Sequence, residues 1–283
     1  MALHRKIRRR FERAHFRGRI LRHQANPLDE RTTRQPVVVG ALGGSGTRAI
    51  VELLVQSGVF MGGAQDPDRR DSLFIRSFFK EHFDRLANDP SHDTAEMRAD
   101  LYRVIRAHRV GISEEGAAWG WKNPRSVWTL PFLARVYPGM RFIHLVRDGR
   151  DMALSRNHFL LNRHGRAILG PDWEGDVLRD QFHLWALANE RAAKAGAELL
   201  GERALIVRYE DLCADPQAEL RRILDLIECE LPAGRIDDIA TRVKASPGIG
   251  RGRANASPEL AACVERHRSV LRDFGYLEGE SGE

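Results

Sequence analysis

One stretch constrains this chain more than any other: PVVVGALGGSGTRAIVELLVQS, from Pro36 to Ser57. It opens with an apolar run, Val37 to Val39, and passes through a glycine-rich turn, Gly40 to Gly46. From Thr47 the apolar residues Ile50, Leu53 and Leu54 fall at helical spacing. Strand, glycine turn and helix together form a phosphate cradle. Glycine lets the backbone approach a ligand closely, and the free N–H groups of a helix's first turn attract an anion. A purely structural strand-to-helix turn has the same outline.

A nucleoside-triphosphate loop would read G-x-x-x-x-G-K-[ST]. With Gly40 as the first glycine and Thr47 as the last residue, Ser45 replaces the second glycine and Gly46 the lysine. The cradle is present, but the lysine that grips the β- and γ-phosphates is not.

The length of 283 residues and the 42% hydrophobic content suit one α/β domain with a real core. No apolar run is long enough to cross a bilayer. Cys213, Cys229 and Cys263 form no CxxC pair and accompany no histidine cluster. They read as reduced thiols of a cytoplasmic protein without a metal site. The net charge of +6 is uneven: residues 1–35 hold eleven Lys/Arg against three Asp/Glu, so the remaining chain carries −2. That basic arm lacks the apolar core of a secretory signal. As a helix or a partly disordered segment, its first 25 residues fit contact with a membrane surface, a polyanion or the protein's own body. No nucleic-acid-binding module is recognisable. The expected boundaries are an arm at 1–35, a catalytic domain at 36–278 and a disordered tail at 279–283.

Further strands are expected at Ala117–Trp121, Arg141–Val146 and Ala204–Val207, alternating with helices. This pattern predicts an α/β fold of three layers, P-loop-like, with a central parallel sheet of four to five strands. Ligands of such sheets bind beyond the strands' C-terminal ends. Lys122 follows the second strand and Arg147 the third, with Ser155 expected two turns along the next helix. Arg147 with Arg150 among Asp148 and Asp151 also fits a structural ion-pair knot. Leu161–Asp176 reads as a loop across the site's mouth. A glycine-and-arginine loop spans Ser246–Arg253, and the last helix runs from Ser257 to about Phe274.

These motifs, in this order, resemble the sulfotransferases that use 3′-phosphoadenosine 5′-phosphosulfate (PAPS), nearest to the bacterial branch and similar to tyrosylprotein sulfotransferases. The likeness covers about Val37 to Leu277. It implies that Gly43, Gly44, Ser45, Gly46, Thr47 and Arg48 wrap the 5′-phosphosulfate. Arg147 and Ser155 would bind the 3′-phosphate, Tyr209 (in Tyr209-Glu210-Asp211-Leu212) would lie near the nucleotide, and Gly250, Arg251 and Arg253 would close over it. Lys122, in Lys122-Asn123-Pro124, would contact the transferring sulfuryl group. The family's basic residue before Ser-Gly-Thr is Gly44 here, leaving Arg48 to supply the charge, and its frequent tryptophan in the late loop is Gly252. The expected general base is Asp71, then Asp66, with Glu81, His82 and His164 as further candidates. The acceptor would be a hydroxyl or amine of a small molecule, glycan or peptide, and no metal is called for. A small-molecule kinase and a non-catalytic 3′-phosphoadenosine nucleotide-binding protein are the alternatives.

Overall fold

The computed structural model describes residues 34–112, 116–255 and 257–277. The expected arm, except its last two residues, and the expected tail lie outside them. Strands β1 (Val37–Ala41), β2 (Gly120–Lys122), β3 (Arg141–Val146) and β4 (Ala204–Arg208) form one parallel sheet in the order β2-β1-β3-β4. Val39 pairs with Lys122 on one side and Ile143 on the other. β1 is buried throughout, as a parallel strand covered on both faces must be.

Alternate residues feed two cores. Val38, Phe142 and Val146 face α2 (Leu73–Asn88), α3 (Ala95–His108), α4 (Leu130–Val136) and α6 (Val177–Leu199). Val39, Ala41, Ile143 and Leu145 face α1 (Thr47–Gln56), α7 (Tyr209–Ala214), α8 (Pro216–Leu226) and α9 (Ala233–Ala240). The strand order reverses between β1 and β3, so a crevice opens beyond their C-terminal ends. The glycine turn leaves β1 there, and Arg147 leaves β3.

Four local expectations need correction. β2 starts at Gly120 and includes Lys122, so the lysine ends the strand instead of following it. The helix after β3, α5, spans only Gly149–Ala153 and stops short of Ser155. Ser155 Oγ accepts the N–H of Asn157 at 3.1 Å, a local bond that competes with helix. Leu161–Asp176 is largely helical: a π-helical turn at Leu161–Gly165 runs into a short helix at Arg166–Leu169, because Leu161, Ile168 and Leu169 enter the core. The last helix is two, α11 (Pro258–Arg266) and α12 (Arg268–Asp273), broken at His267.

Candidate active site

Gly44 takes φ +109° and Gly46 φ +90°, so the turn bends through conformations that side chains strain. Both hydroxyl-bearing neighbours are buried, Ser45 with its Oγ 3.9 Å from Met152 Sδ, and no side chain caps α1. The Tyr209 ring presses on Gly46, where a Cβ would lie 2.2 Å from it. A lysine at 46 therefore has no room. Around a Gly44 Cβ, Ser155 Oγ would stand at 3.4 Å and Asn157 Cβ at 3.8 Å.

Arg147 completes this end. Its Nη1 donates to the Gly44 carbonyl at 3.5 Å, and its guanidinium lies 5.1 Å from the Tyr209 ring centroid. Its own carbonyl is held by Trp185 Nε1 of α6 at 2.8 Å. Arg147 is 5% exposed, and its Nε has no partner among the described residues. The ion-pair knot does form, but mainly on Arg150, which binds Asp148 and the Tyr276 carbonyl. Arg147 has only a long contact, 3.3 Å, to Asp151.

Asp151, fully buried, accepts the N–H groups of Gly250 at 2.9 Å and Gly252 at 2.8 Å. This latches the late loop and the short helix α10 (Arg251–Ala254) against α5. Arg251 donates to the Asp151 carbonyl at 3.0 Å through Nε. A side chain at 252 would meet the Arg150 backbone at 2.5 Å, so the family's tryptophan cannot occupy this version of the loop. Arg253 is 60% exposed and approaches Asp148 at 3.8 Å.

The second cluster lies at the end of β2. Lys122, 3% exposed, is ion-paired with the buried Asp71 and donates to the Arg69 carbonyl at 2.5 Å. Burial pushes the Lys122 pKa down, Asp71 and then Asp66 pull it back up, and the charge of Arg48 lowers it again. The Arg48 side chain is exposed, and its Nη1 donates to the Asp68 carbonyl at 3.5 Å. Asp66 organises the loop: it accepts the N–H groups of Asp68 and Arg69 and pairs with Arg76 at 3.1 Å. His108 of α3 ties together the two segments that carry the pair. Its Nε2 donates to the Gly120 carbonyl at 2.8 Å, and its Nδ1 faces Ser72 Oγ at 2.9 Å.

The other base candidates separate. Asp71 precedes α2, whereas Glu81 and His82 lie about 12–14 Å along it from Leu73 at 1.5 Å per residue, and His82 bonds Asp100 at 2.9 Å. With Asp100 they form a cluster of ligand-type atoms on the α2–α3 face, remote from Lys122. His164 pairs with Asp84 and packs on Phe83, its pKa lowered first by burial. Sequence reading missed Asp151, His108 and Asn157, whose Nδ2 would stand 3.0 Å from a Gly43 Cβ. Asp151 carried a signal in Arg147-Asp148-Gly149-Arg150-Asp151; His108 and Asn157 carried none.

Comparison with known proteins matches this layout. The chain is 34% identical over 120 residues to the omega-hydroxy-beta-dihydromenaquinone-9 sulfotransferase Stf3 of Mycobacterium bovis, and likewise to Stf3 of Mycobacterium tuberculosis. Those alignments cover 39% of this chain and 30% of the relative, so the match spans under a third of the relatives' length. Sulfotransferase STF9 from Mycobacterium avium superposes with a TM-score of 0.56 at 16% identity, over 93% of this chain and 82% of that one. Mouse sulfotransferase SULT7A1, complexed with PAP, gives 0.51 at 12% identity, over 84% and 85%. These two show a shared fold. The model of the sulfotransferase family matches residues 36–233, from the start of β1 to the start of α9 and well over half of the chain, and on that ground the protein belongs to the sulfotransferase family.

Proposed function

We propose that this protein transfers a sulfuryl group from PAPS to a hydroxyl or amine of an acceptor. The observation that carries this reading is the convergence of Arg147, Ser155 and Tyr209 on the glycine turn at the β1–β3 crevice, one strand away from the buried Lys122. The unpartnered, buried Nε of Arg147 and the uncapped start of α1 fit an anionic nucleotide. Gly43 to Thr47 would hold its 5′ end. Arg147, Ser155 and Arg251 would hold the 3′-phosphate, with Gly250 and Arg253 at the rim. When bound, PAPS supplies the sulfuryl group and its leaving phosphate.

Lys122 and Arg48 then set positive charge beside the reacting atoms, which offsets charge as it develops. Asp71 takes the acceptor's proton, a contribution of about 10²–10⁴-fold in typical enzymes. The two roles are coupled. Lys122 and Asp71 are ion-paired, so Lys122 turns from the carboxylate to the developing charge as Asp71 turns to the acceptor. Asp66 keeps the loop that carries Asp71 in shape.

The kinase alternative lacks its lysine, and Tyr209 fills the place where one would stand. The unpaired Cys213, Cys229 and Cys263 suit a reducing compartment, so we assign the activity to the cytoplasm. No helix among the described residues is long and apolar enough to cross a membrane. Residues 1–25 are proposed as the contact to a membrane surface or polyanion.

Thermal unfolding with added nucleotide tests the reading. Adenosine 3′,5′-bisphosphate should raise the midpoint, and ATP with magnesium should not, since only a bound ligand stabilises by mass action. Equal protection by both would return the chain to the kinases. Protection by the bisphosphate without sulfate transfer to any acceptor would favour the binding-protein alternative.

A further inference from the structure

Arg125 presents an electrostatic problem. It follows β2 by three residues, in a 3₁₀ turn that Asn123 caps at 3.0 Å. Its guanidinium stacks between Phe83, 5.2 Å away, and Phe159, 5.6 Å away. Its Nε is buried without a partner, and no carboxylate among the described residues lies within ion-pair distance. Burial first, and then the charges of Arg163 and Arg76, lower its pKa; Asp71 and Asp84 restore less. Like charges are thus gathered around a desolvated cation, an arrangement that costs free energy unless an anion relieves it.

The surroundings extend the feature. Phe159 is 46% exposed, and Arg69 stacks on it at 5.6 Å as Arg125 does. Lys122 holds the Arg69 carbonyl, so the aromatic ring and its two arginines connect directly to the Lys122–Asp71 pair. Arg163 comes from the π-helical turn, a geometry that often marks functional sites. Neither Arg69 nor Arg163 has a carboxylate within 4 Å among the described residues, whereas Arg76 spends its charge on Asp66.

We propose that the acceptor carries its own anionic group, a phosphate or carboxylate, which Arg125 and Arg163 grip while Phe159 covers the adjoining apolar part. Arginine forks suit both anions. The inference rests on the transferase reading above, because it places the anion on the acceptor side of Lys122 and Asp71.

The test uses the full chain saturated with adenosine 3′,5′-bisphosphate, so that the nucleotide arginines are engaged. Phenyl phosphate, benzoate and the neutral benzyl alcohol are titrated calorimetrically at constant ionic strength. Saturable binding of an anion, about tenfold tighter than the alcohol, is expected. Phenyl phosphate above benzoate would assign a phosphate, and the reverse order a carboxylate. Arg125→Gln and the exposed Arg163→Gln should each weaken the anion about tenfold and leave bisphosphate affinity unchanged. Should Arg125→Gln fail to fold, Arg163→Gln gives the reading alone. Anion and alcohol binding alike, no saturable anion binding, or indifference to Arg163→Gln overturns the proposal. If the bisphosphate itself does not bind, the transferase reading falls on that arm, and the anion comparison is read on the free protein.

Discussion

The two ends of the site are built differently. The proposed nucleotide end is made of short contiguous motifs whose backbones hold one another. Gly250 and Gly252 donate to Asp151, Trp185 holds the Arg147 carbonyl, and the Ser246 N–H bonds the Tyr209 hydroxyl at 3.1 Å. The proposed acceptor end is made of single side chains from separate segments: Arg69, Asp71, Lys122, Arg125, Phe159 and Arg163. A backbone-built pocket keeps its shape through many substitutions. A pocket built of side chains changes with each one. One donor served by a constant end, and many acceptors served by a variable end, is what this division permits.

The largest expected effect separates chemistry from donor binding. Lys122→Ala should lower kcat on the order of 10³-fold, the upper scale for one preorganised stabiliser, with bisphosphate affinity nearly unchanged. Near-normal kcat would break the division. Because the variant strands a buried carboxylate, Lys122→Met with Asp71→Asn serves as the folding control.

Acid should strike the acceptor end at its lock. Burial drives the His108 pKa down to about 4, against an ordinary 6.5. A base whose folded pKa is depressed adds no penalty above the unfolded value. Stability is then lost as pH falls from about 6.5 to about 4, up to roughly 3 kcal/mol for this shift. His108→Gln, which keeps a donor and an acceptor, should flatten that part of a urea-denaturation pH profile. An unchanged profile would move the acid sensitivity to His144 or His267, each also depressed to about 4, first by burial.

Arg147→Ala should weaken adenosine 3′,5′-bisphosphate binding by about 2 kcal/mol and barely affect adenosine 5′-phosphate. Equal losses for both would remove the 3′-phosphate from Arg147. The smallest effect belongs to Arg48, whose exposed charge is screened by solvent. Arg48→Ala should cost about tenfold in kcat. Adding Gly44→Lys should not restore it, since φ +109° disfavours any side chain there. Recovery by that double variant would show that the turn tolerates the family's residue.

Legibility followed the same division. The cradle, Arg147 and Tyr209 stood out because each belongs to a motif of fixed spacing at a strand's end. β3 and β4 were plain for their apolar runs, and the fold followed from strand–helix alternation. Ser155 does lie beside the glycine turn, but its helix was misjudged, because a side-chain bond to Asn157 ends α5 early. Leu161–Asp176 misled through its Gly, Pro and Asp content; burial of Leu161, Ile168 and Leu169 overrode that composition. Arg125 and Phe159 lie 34 residues apart and meet only in three dimensions, so no local pattern announces them.

The Asp151 latch has a consequence for the chain's birth. Its partners, Gly250 and Gly252, emerge 99 and 101 residues later. At roughly 5–20 residues per second, about 5–20 s of synthesis separates them. All four strands leave the ribosome before the latch does, since β4 ends at Arg208. Between the synthesis of Arg208 and that of Gly250, the growing protein has the residues of its sheet but not those that close its proposed nucleotide end. Ribosome-bound chains stalled before residue 248 should therefore ignore the bisphosphate, and competence should arrive within a few residues of Gly252 clearing the exit tunnel.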